Sequence, residues 1–318
     1  MIDQLGSPGQ WEREALNSIL LEHVKEQRRT RRWGIFFKLL VVLFMLGGVY
    51  AFYNRDLQQP VITTQAHTAV IDVVGEIGVG EEANADNLRS SLKLAFENKQ
   101  VKGVVLRINS PGGSPVQARE VYGYIRELRV KYPEIKVYAA IRDMGTSAAY
   151  LIACAADSIY SDKTSLVGSI GAKIDSFGFV DVMHKVGVER RLYTSGKHKG
   201  ILDPFLPRTV EEDAFINEQL RVVLNAFIDN VREGRGSRLR ETPEIFSGLF
   251  WSGEQALNLG LIDGFGDAQY IAKEIIKAEN LVDYSPSTNF LDRFARRVGA
   301  SMGTALSSEM GFAQKGVR

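Results

Sequence analysis

The stretch Lys136-Val137-Tyr138-Ala139-Ala140-Ile141-Arg142-Asp143-Met144-Gly145-Thr146-Ser147-Ala148-Ala149-Tyr150 decides both the fold and the chemistry of this chain. Residues 136–141 are a short apolar run that reads as a buried strand, and the small, apolar residues from Leu151 to Asp157 read as a helix. Ser147 therefore stands where a strand turns into a helix. Such a turn holds a hydroxyl at the end of a sheet and at the positive end of a helix dipole, which suits an attacking oxygen that gains negative charge. The ordinary alternative is that Thr146 or Ser147 merely caps the helix.

Working outward, strands and helices alternate. Strands are expected at Thr68–Val74, Val101–Ile108, Ser158–Ser161, around Ile170–Ile174 and at Val188–Thr194. Helices are expected at Asn84–Asn98, Pro115–Lys131 and Phe177–Val186, then from Thr209 to about Arg232, where Thr209 and Glu212 form a capping box, and at Gly253–Leu259 and Asp267–Ala278. This alternation implies an α/β domain with a mostly parallel sheet covered by helices. The glycine-rich run Gly75–Gly80 has neither dinucleotide-binding nor Walker spacing and reads as a turn.

The composition narrows the function. The net charge of +1 over 318 residues gives no electrostatic reason for nucleic acid as a partner. The single cysteine, Cys154, forms no intrachain disulfide, and His23, His67, His184 and His198 lack ligand spacing, so neither a metal nor a cofactor is expected.

Residues 34–53 form an apolar run broken only by Lys38. About 20 residues span a bilayer as a helix. Trp33, Tyr50 and Tyr53 supply interfacial aromatics, and Arg28, Arg29, Arg31 and Arg32 precede the run. The arginine bias places residues 1–33 in the cytoplasm and the remainder outside. A retained anchor is favoured over a cleaved secretory signal because the leading region is long and no small-x-small site follows the run. Residues 54–67 read as a polar linker, residues 68–280 as a soluble domain and residues 281–318 as a tail. In that tail Phe290, Leu291, Phe294 and Val298 share a helical face beside Arg293, Arg296 and Arg297.

After the strand at 101–108 comes Asn109-Ser110-Pro111-Gly112-Gly113-Ser114-Pro115-Val116-Gln117, with Ser114, Pro115 and Gln117 at the N-cap, N1 and N3 of the next helix. Two glycines ahead of a helix let backbone N–H groups approach a ligand closely, which is how an oxyanion hole is built. A plain tight turn is the alternative. A hydroxyl nucleophile also needs a base, and no histidine or aspartate is placed for a Ser/His/Asp triad. The lysines in Tyr193-Thr194-Ser195-Gly196-Lys197-His198-Lys199 offer an alternative base, provided that burial lowers the amine's pKa.

Five motifs in order resemble the signal peptide peptidase A family: Ser-Pro-Gly-Gly at 110–113, Met-Gly-Thr-Ser-Ala-Ala-Tyr at 144–150, Gly-Ser-Ile-Gly at 168–171, Ser-Gly-x-x-Lys at 195–199, and Trp-Ser-Gly-Glu-Gln-Ala-Leu-x-Leu-Gly-Leu-Ile-Asp at 251–263. The resemblance covers roughly residues 68–280 and has the short, single-repeat form. It implies a ClpP/crotonase-like spiral fold behind an N-terminal transmembrane helix. It also implies a serine endopeptidase of the bacterial cytoplasmic membrane, with its catalytic domain outside, that degrades hydrophobic peptides such as remnant signal peptides. On this likeness Ser147 is the nucleophile, Lys199 rather than Lys197 the base, and Ser169 the group that orients the lysine. Gly113, with Ser114 or Gly112, would form the oxyanion hole, and the likeness further implies a homo-oligomeric ring. The family usually carries Ser-Gly-Gly-Tyr where this chain has Ser147-Ala148-Ala149-Tyr150, which bears on the shape of the substrate pocket. A crotonase-like acyl-CoA enzyme and a catalytically inert membrane scaffold are the competing readings. CoA binding would mark the first, and failure of a serine-acylating probe to label Ser147 the second.

Overall fold

A computed structural model describes residues 28–29, 31–48, 50 and 65–285. The chain divides into two units, Met1–Ile62 and Thr63–Arg318. In the first, residues 31–48 form a helix, α1, whose side chains are exposed. Among the described residues no helix is long and apolar enough to cross a membrane. Residue 49 and residues 51–53 of the expected span lie outside the described residues, as do most of the expected linker and the tail from residue 286.

The second unit is a mixed α/β domain around an eight-stranded sheet. Its centre is β1 (His67–Ile77), β2 (Val101–Gly113) and β3 (Lys136–Thr146), all parallel. On its far side β3 serves two partners, Tyr138–Ile141 pairing with β4 (Ser158–Ser161) and Met144–Thr146 with β5 (Leu166–Gly168). β6 (Phe250–Ser252) runs antiparallel to β5, β7 (Gly264–Phe265) flanks β4, and β8 (Leu281–Asp283) flanks β1.

Local chemistry sets the helix starts. Asn84 caps α2 (Ala85–Glu97) by accepting from the Asn87 amide at 2.8 Å. Ser114 caps α3 (Pro115–Lys131), while Gln117 accepts from the Ala85 amide at 2.8 Å and so ties α3 to the start of α2. The apolar residues of α2, α3 and α4 (Ala148–Cys154) cover one face of β1–β3, burying Leu88, Leu92, Ile125 and Ile152 against Ile71, Leu106 and Ile108. Each such side chain contributes roughly 1.5–3 kcal/mol by leaving water. Val105 and Ala140 on the opposite face are covered by α8 (Ala268–Tyr270) and the π-helical turn Ile271–Ile276 that continues it.

Helix α5 (Val180–Lys185) buries none of its residues. Helix α6 (Val210–Arg235) begins with both halves of the Thr209/Glu212 capping box formed and buries only Phe227, Val231, Gly234 and Arg235 near its end. It approaches α4 so closely that a Cβ on Gly234 would lie 2.2 Å from the Cys154 carbonyl. Helix α7 (Gly253–Asn258) opens with a second capping box, Ser252 with Gln255.

Four expectations need correction. Gly75–Gly80 is not simply a turn, because β1 continues to Ile77 through a bulge that Gly75 absorbs at φ 79°. β2 runs on through Gly113 rather than ending at Ile108. The strand expected around 170–174 lies instead at Leu166–Gly168, because positive φ at Gly168 and Ser169 ends it before Ile170. No strand forms at 188–194. Val188 and Tyr193 are β-formers, but they lie exposed with no neighbouring strand to complete a hydrogen-bond ladder.

Candidate active site

The site lies at the carboxyl ends of β2, β3 and β5. β3 delivers Thr146 into register with Gly168, and the next residue, Ser147, donates its amide to the Gly168 carbonyl at 2.7 Å. Ser147 has φ 54° and ψ −126°, a region that non-glycine residues avoid and that persists only when the surroundings fix it. Its hydroxyl makes no cap bond to α4 and has no hydrogen-bond partner among the described residues. Capping therefore does not account for Ser147. A half-buried, unengaged hydroxyl on a strained strand-to-helix turn is a feature of nucleophiles.

The Ser110–Ser114 stretch fits against this turn. Gly112 stands at φ 102°, and a Cβ there would lie 2.7 Å from Ser147 Cβ, 2.8 Å from the Thr146 carbonyl and 2.9 Å from the Ala148 nitrogen. Gly113 stands at φ 143°, where a Cβ would meet the Ile77 carbonyl at 2.2 Å. Only glycine permits both approaches. The Gly112 amide donates to the buried Ser110 hydroxyl at 3.2 Å, and the Ser114 amide to the Ile77 carbonyl at 2.7 Å. Ser114 is thus committed within the fold and Gly112 partly so. The Ala148 amide, next to Gly112, donates to no described residue. It is a donor that the sequence reading overlooked, although the first amide of a helix after an uncapped residue is always unpaired.

Ala148 and Ala149 point into the core, so the side chains that replace the usual glycines pack internally rather than line an open pocket.

Ser169 follows Gly168 and therefore sits one position past the end of β5, next to the residue whose carbonyl accepts from Ser147. Its φ is 50°, its amide donates to the Leu249 carbonyl at 2.9 Å, and its hydroxyl donates to the Gly248 carbonyl at 3.2 Å. The two lysines differ. Lys197 is paired with both carboxylate oxygens of Glu211 at 2.9 Å, which holds Glu211 below its ordinary pKa. Lys199 is exposed, and no hydrogen bond joins its amine to Ser147 or Ser169 within the chain.

Behind the nucleophile, α4 is braced by Tyr150, whose hydroxyl donates to the Leu261 carbonyl at 2.7 Å, and by Arg235. The Arg235 side chain is 1% exposed. It grips Asp263 with two bonds of 2.8 Å and donates to the Gly260 carbonyl at 2.9 Å. Burial alone would raise the Asp263 pKa, but the bonds from Arg235 outweigh it and hold the carboxyl below its ordinary value. The sequence reading stopped α6 at Arg232 and did not single out Arg235.

A Gly112→Ala variant tests the fit around Ser147. The added methyl has to displace Ser147, and a shift of that order costs about 100-fold in rate. Labelling of Ser147 by a fluorophosphonate should slow accordingly, with melting lowered by roughly 1–3 kcal/mol of strain.

The profile of peptidase family S49 matches residues 129–282. Over 67% of its length the chain is 41% identical to a protein of Brucella abortus that carries the name Na(+)/H(+) antiporter NhaA, the match covering 29% of that protein. It is 30% identical over 64% of its length to a candidate signal peptide peptidase SppA of Enterococcus faecium, covering 58% of it. It is 28% identical over 70% of its length to Protease 4 of Haemophilus influenzae, covering 36% of it. The chain thus spans less than two thirds of the length of each of these relatives.

Proposed function

Because this chain belongs to the signal peptide peptidase A family, within the serine proteases of peptidase family S49, we propose that it is a membrane-anchored serine endopeptidase that works through Ser147 and Lys199 on hydrophobic peptides such as remnant signal peptides. The observation that carries this reading is the strained Ser147 turn, with Gly112 pressed against its Cβ and its hydroxyl unengaged. The Ser147 Oγ attacks the scissile carbonyl while the Lys199 amine takes its proton. Amides at Gly113 and Ala148 face the oxygen that becomes negative, and each such donor is worth on the order of 3 kcal/mol in the transition state. The protonated amine then releases the leaving group, and water activated by the same lysine frees the acyl product.

A lysine acts as a base only when neutral, which calls for a dry environment. Within one chain Lys199 is exposed. We therefore assign the pairing to neighbouring subunits of a ring. Support comes from the exposed apolar side chains of the segment that carries Lys199, where Phe177 is 77% and Tyr193 89% exposed and the Phe179 ring lies 6.3 Å from that of Phe177 and 5.4 Å from that of Phe205. An apolar expanse of this kind marks an interaction surface, and a second copy laid on it would also exclude water from the amine. In this reading the domain takes the ClpP/crotonase-like spiral form, residues 34–53 anchor it in the bacterial cytoplasmic membrane, and it stands outside with the N-terminus in the cytoplasm. Tethering concentrates it beside peptides leaving the bilayer.

Lys199→Ala is expected to lower turnover by about 10²–10⁴-fold. Mixing it with Ser147→Ala and allowing subunits to exchange should restore activity, because some junctions then pair an intact serine with an intact lysine. A mixture as inactive as its components, under conditions where wild-type subunits exchange and remain active, rules out pairing across subunits. Full turnover by Lys199→Ala alone rules out the lysine.

A further inference from the structure

About a hundred positions along the chain from Ser147, a residue of the edge strand β6 packs against Gly168, whose carbonyl receives the Ser147 amide. Trp251 pairs with Val167 across the antiparallel β5–β6 ladder. Its Cδ1 lies 3.1 Å from where a Cβ on Gly168 would be, so the indole edge fills the space that glycine leaves open. Gly168 is at φ 97°, and its carbonyl receives the Ser147 amide. The residues just before Trp251 hold the next link, since the Leu249 and Gly248 carbonyls take the amide and hydroxyl of Ser169. Close packing continues at Gly171, where a Cβ would sit 3.0 Å from Gly248 Cα. Gly168 and Ser169 are thus held against the segment Gly248–Trp251, and Ser147 is held by Gly168.

Among the described residues, Trp251 Nε1 is the buried side-chain polar atom without a hydrogen-bond partner. A donor sealed from water without an acceptor is unfavourable, and a phenyl ring in its place would avoid the penalty. The indole nitrogen therefore contributes nothing to holding the strand, whereas the ring edge over Gly168 does.

We propose that Trp251 is a positioning residue for the peptidase reaction, acting through Gly168 to hold Ser147 in its strained, reactive conformation. This rests on the reading of Ser147 as nucleophile. If the ring is removed, the Gly168 carbonyl gains room to turn away, the Ser147 amide loses its acceptor, and the serine relaxes towards an ordinary backbone conformation.

The test uses the full chain with Trp251→Leu and Trp251→Phe, assayed well below either melting temperature. Trp251→Leu should lower kcat and the rate of fluorophosphonate labelling together by about 30-fold or more, with KM changed by less than about 3-fold, as expected for a misplaced nucleophile. Trp251→Phe keeps a ring edge over Gly168 and should restore both rates to within about 3-fold of wild type, with melting unchanged or raised. Labelling of Trp251→Leu at the wild-type rate, or an equal loss in Trp251→Phe, overturns the proposal. Should the leucine variant not fold, emission provides a second readout. The chain has 3 tryptophans, so Trp11→Phe with Trp33→Phe leaves Trp251 as the sole indole. Its emission should shift when Ser147 is acylated, and an unchanged spectrum overturns the proposal. A wild-type protein that hydrolyses peptides without labelling at Ser147 defeats instead the assignment of the nucleophile.

Discussion

Ser147→Ala is expected to lower hydrolysis of an unfolded test protein by about 10³-fold or more, with melting and assembly unchanged. Losing a nucleophile removes the covalent pathway altogether, leaving only what the oxyanion donors and substrate binding supply. Alanine keeps the strained φ of 54°, so the fold gains nothing from the change. Ser147→Gly separates the two properties. It should be equally inactive yet more stable by about 1 kcal/mol or more, because glycine accepts φ 54° and ψ −126° without strain. A stabilised, inactive glycine variant would show that the chain sustains this backbone for chemistry rather than for folding. The readouts are turnover at saturating substrate and a thermal melt on the same preparation.

The largest effect on stability is expected at Arg235→Ala. The variant leaves the half-buried Asp263 carboxylate with the Ile159 amide at 2.7 Å and Arg238 at 3.1 Å as its partners, and frees the Gly260 carbonyl. Breaking a buried ion pair from one side costs about 3–5 kcal/mol, or roughly 10 °C of melting temperature in a domain of this size. Since Arg235 and Tyr150 brace α4 from behind, activity should fall only as far as the folded fraction does. The same pair sets the acid limit. Asp263 has a depressed pKa in the folded state, so its contribution is complete above the unfolded carboxyl value of about 3.9 and is lost as the pH falls through the lower folded value. Wild type should thus lose stability more steeply than Asp263→Asn below about pH 4. Denaturant midpoints measured at several pH values check this, and parallel acid limbs would contradict it.

Much of the framework was legible because it depends on local chemistry. Ser114 ahead of Pro115, Thr209 with Glu212, and Asn84 each cap the helix expected of them. The apolar run 136–141 became the middle of the sheet, and Ser147 fell at a strand-to-helix turn. What was not legible depends on partners distant in sequence. β5 could not be placed at Leu166–Gly168 without knowing that Phe250–Ser252 would pair with it, and Val188–Thr194 reads as a strand until no neighbour appears. The free Ala148 amide, the commitment of Ser114 to Ile77 and the Arg235–Asp263 pair are all relations across the fold. The residues around Lys197 and Lys199 do not separate the two by themselves; the Ser-Gly-x-x-Lys resemblance picks out Lys199, and the fold adds the bond from Lys197 to Glu211. The surroundings of Lys199 are the extreme case, since in the proposed mechanism they are completed by another copy of the chain.

The most direct test of the account is to treat the full chain with a fluorophosphonate and locate the modified residue by mass spectrometry. The account predicts a single adduct on Ser147, its appearance matched in time by loss of peptide hydrolysis, and no adduct in Ser147→Ala. Loss of hydrolysis with the adduct on any other serine, or hydrolysis that continues after Ser147 is fully modified, would contradict it.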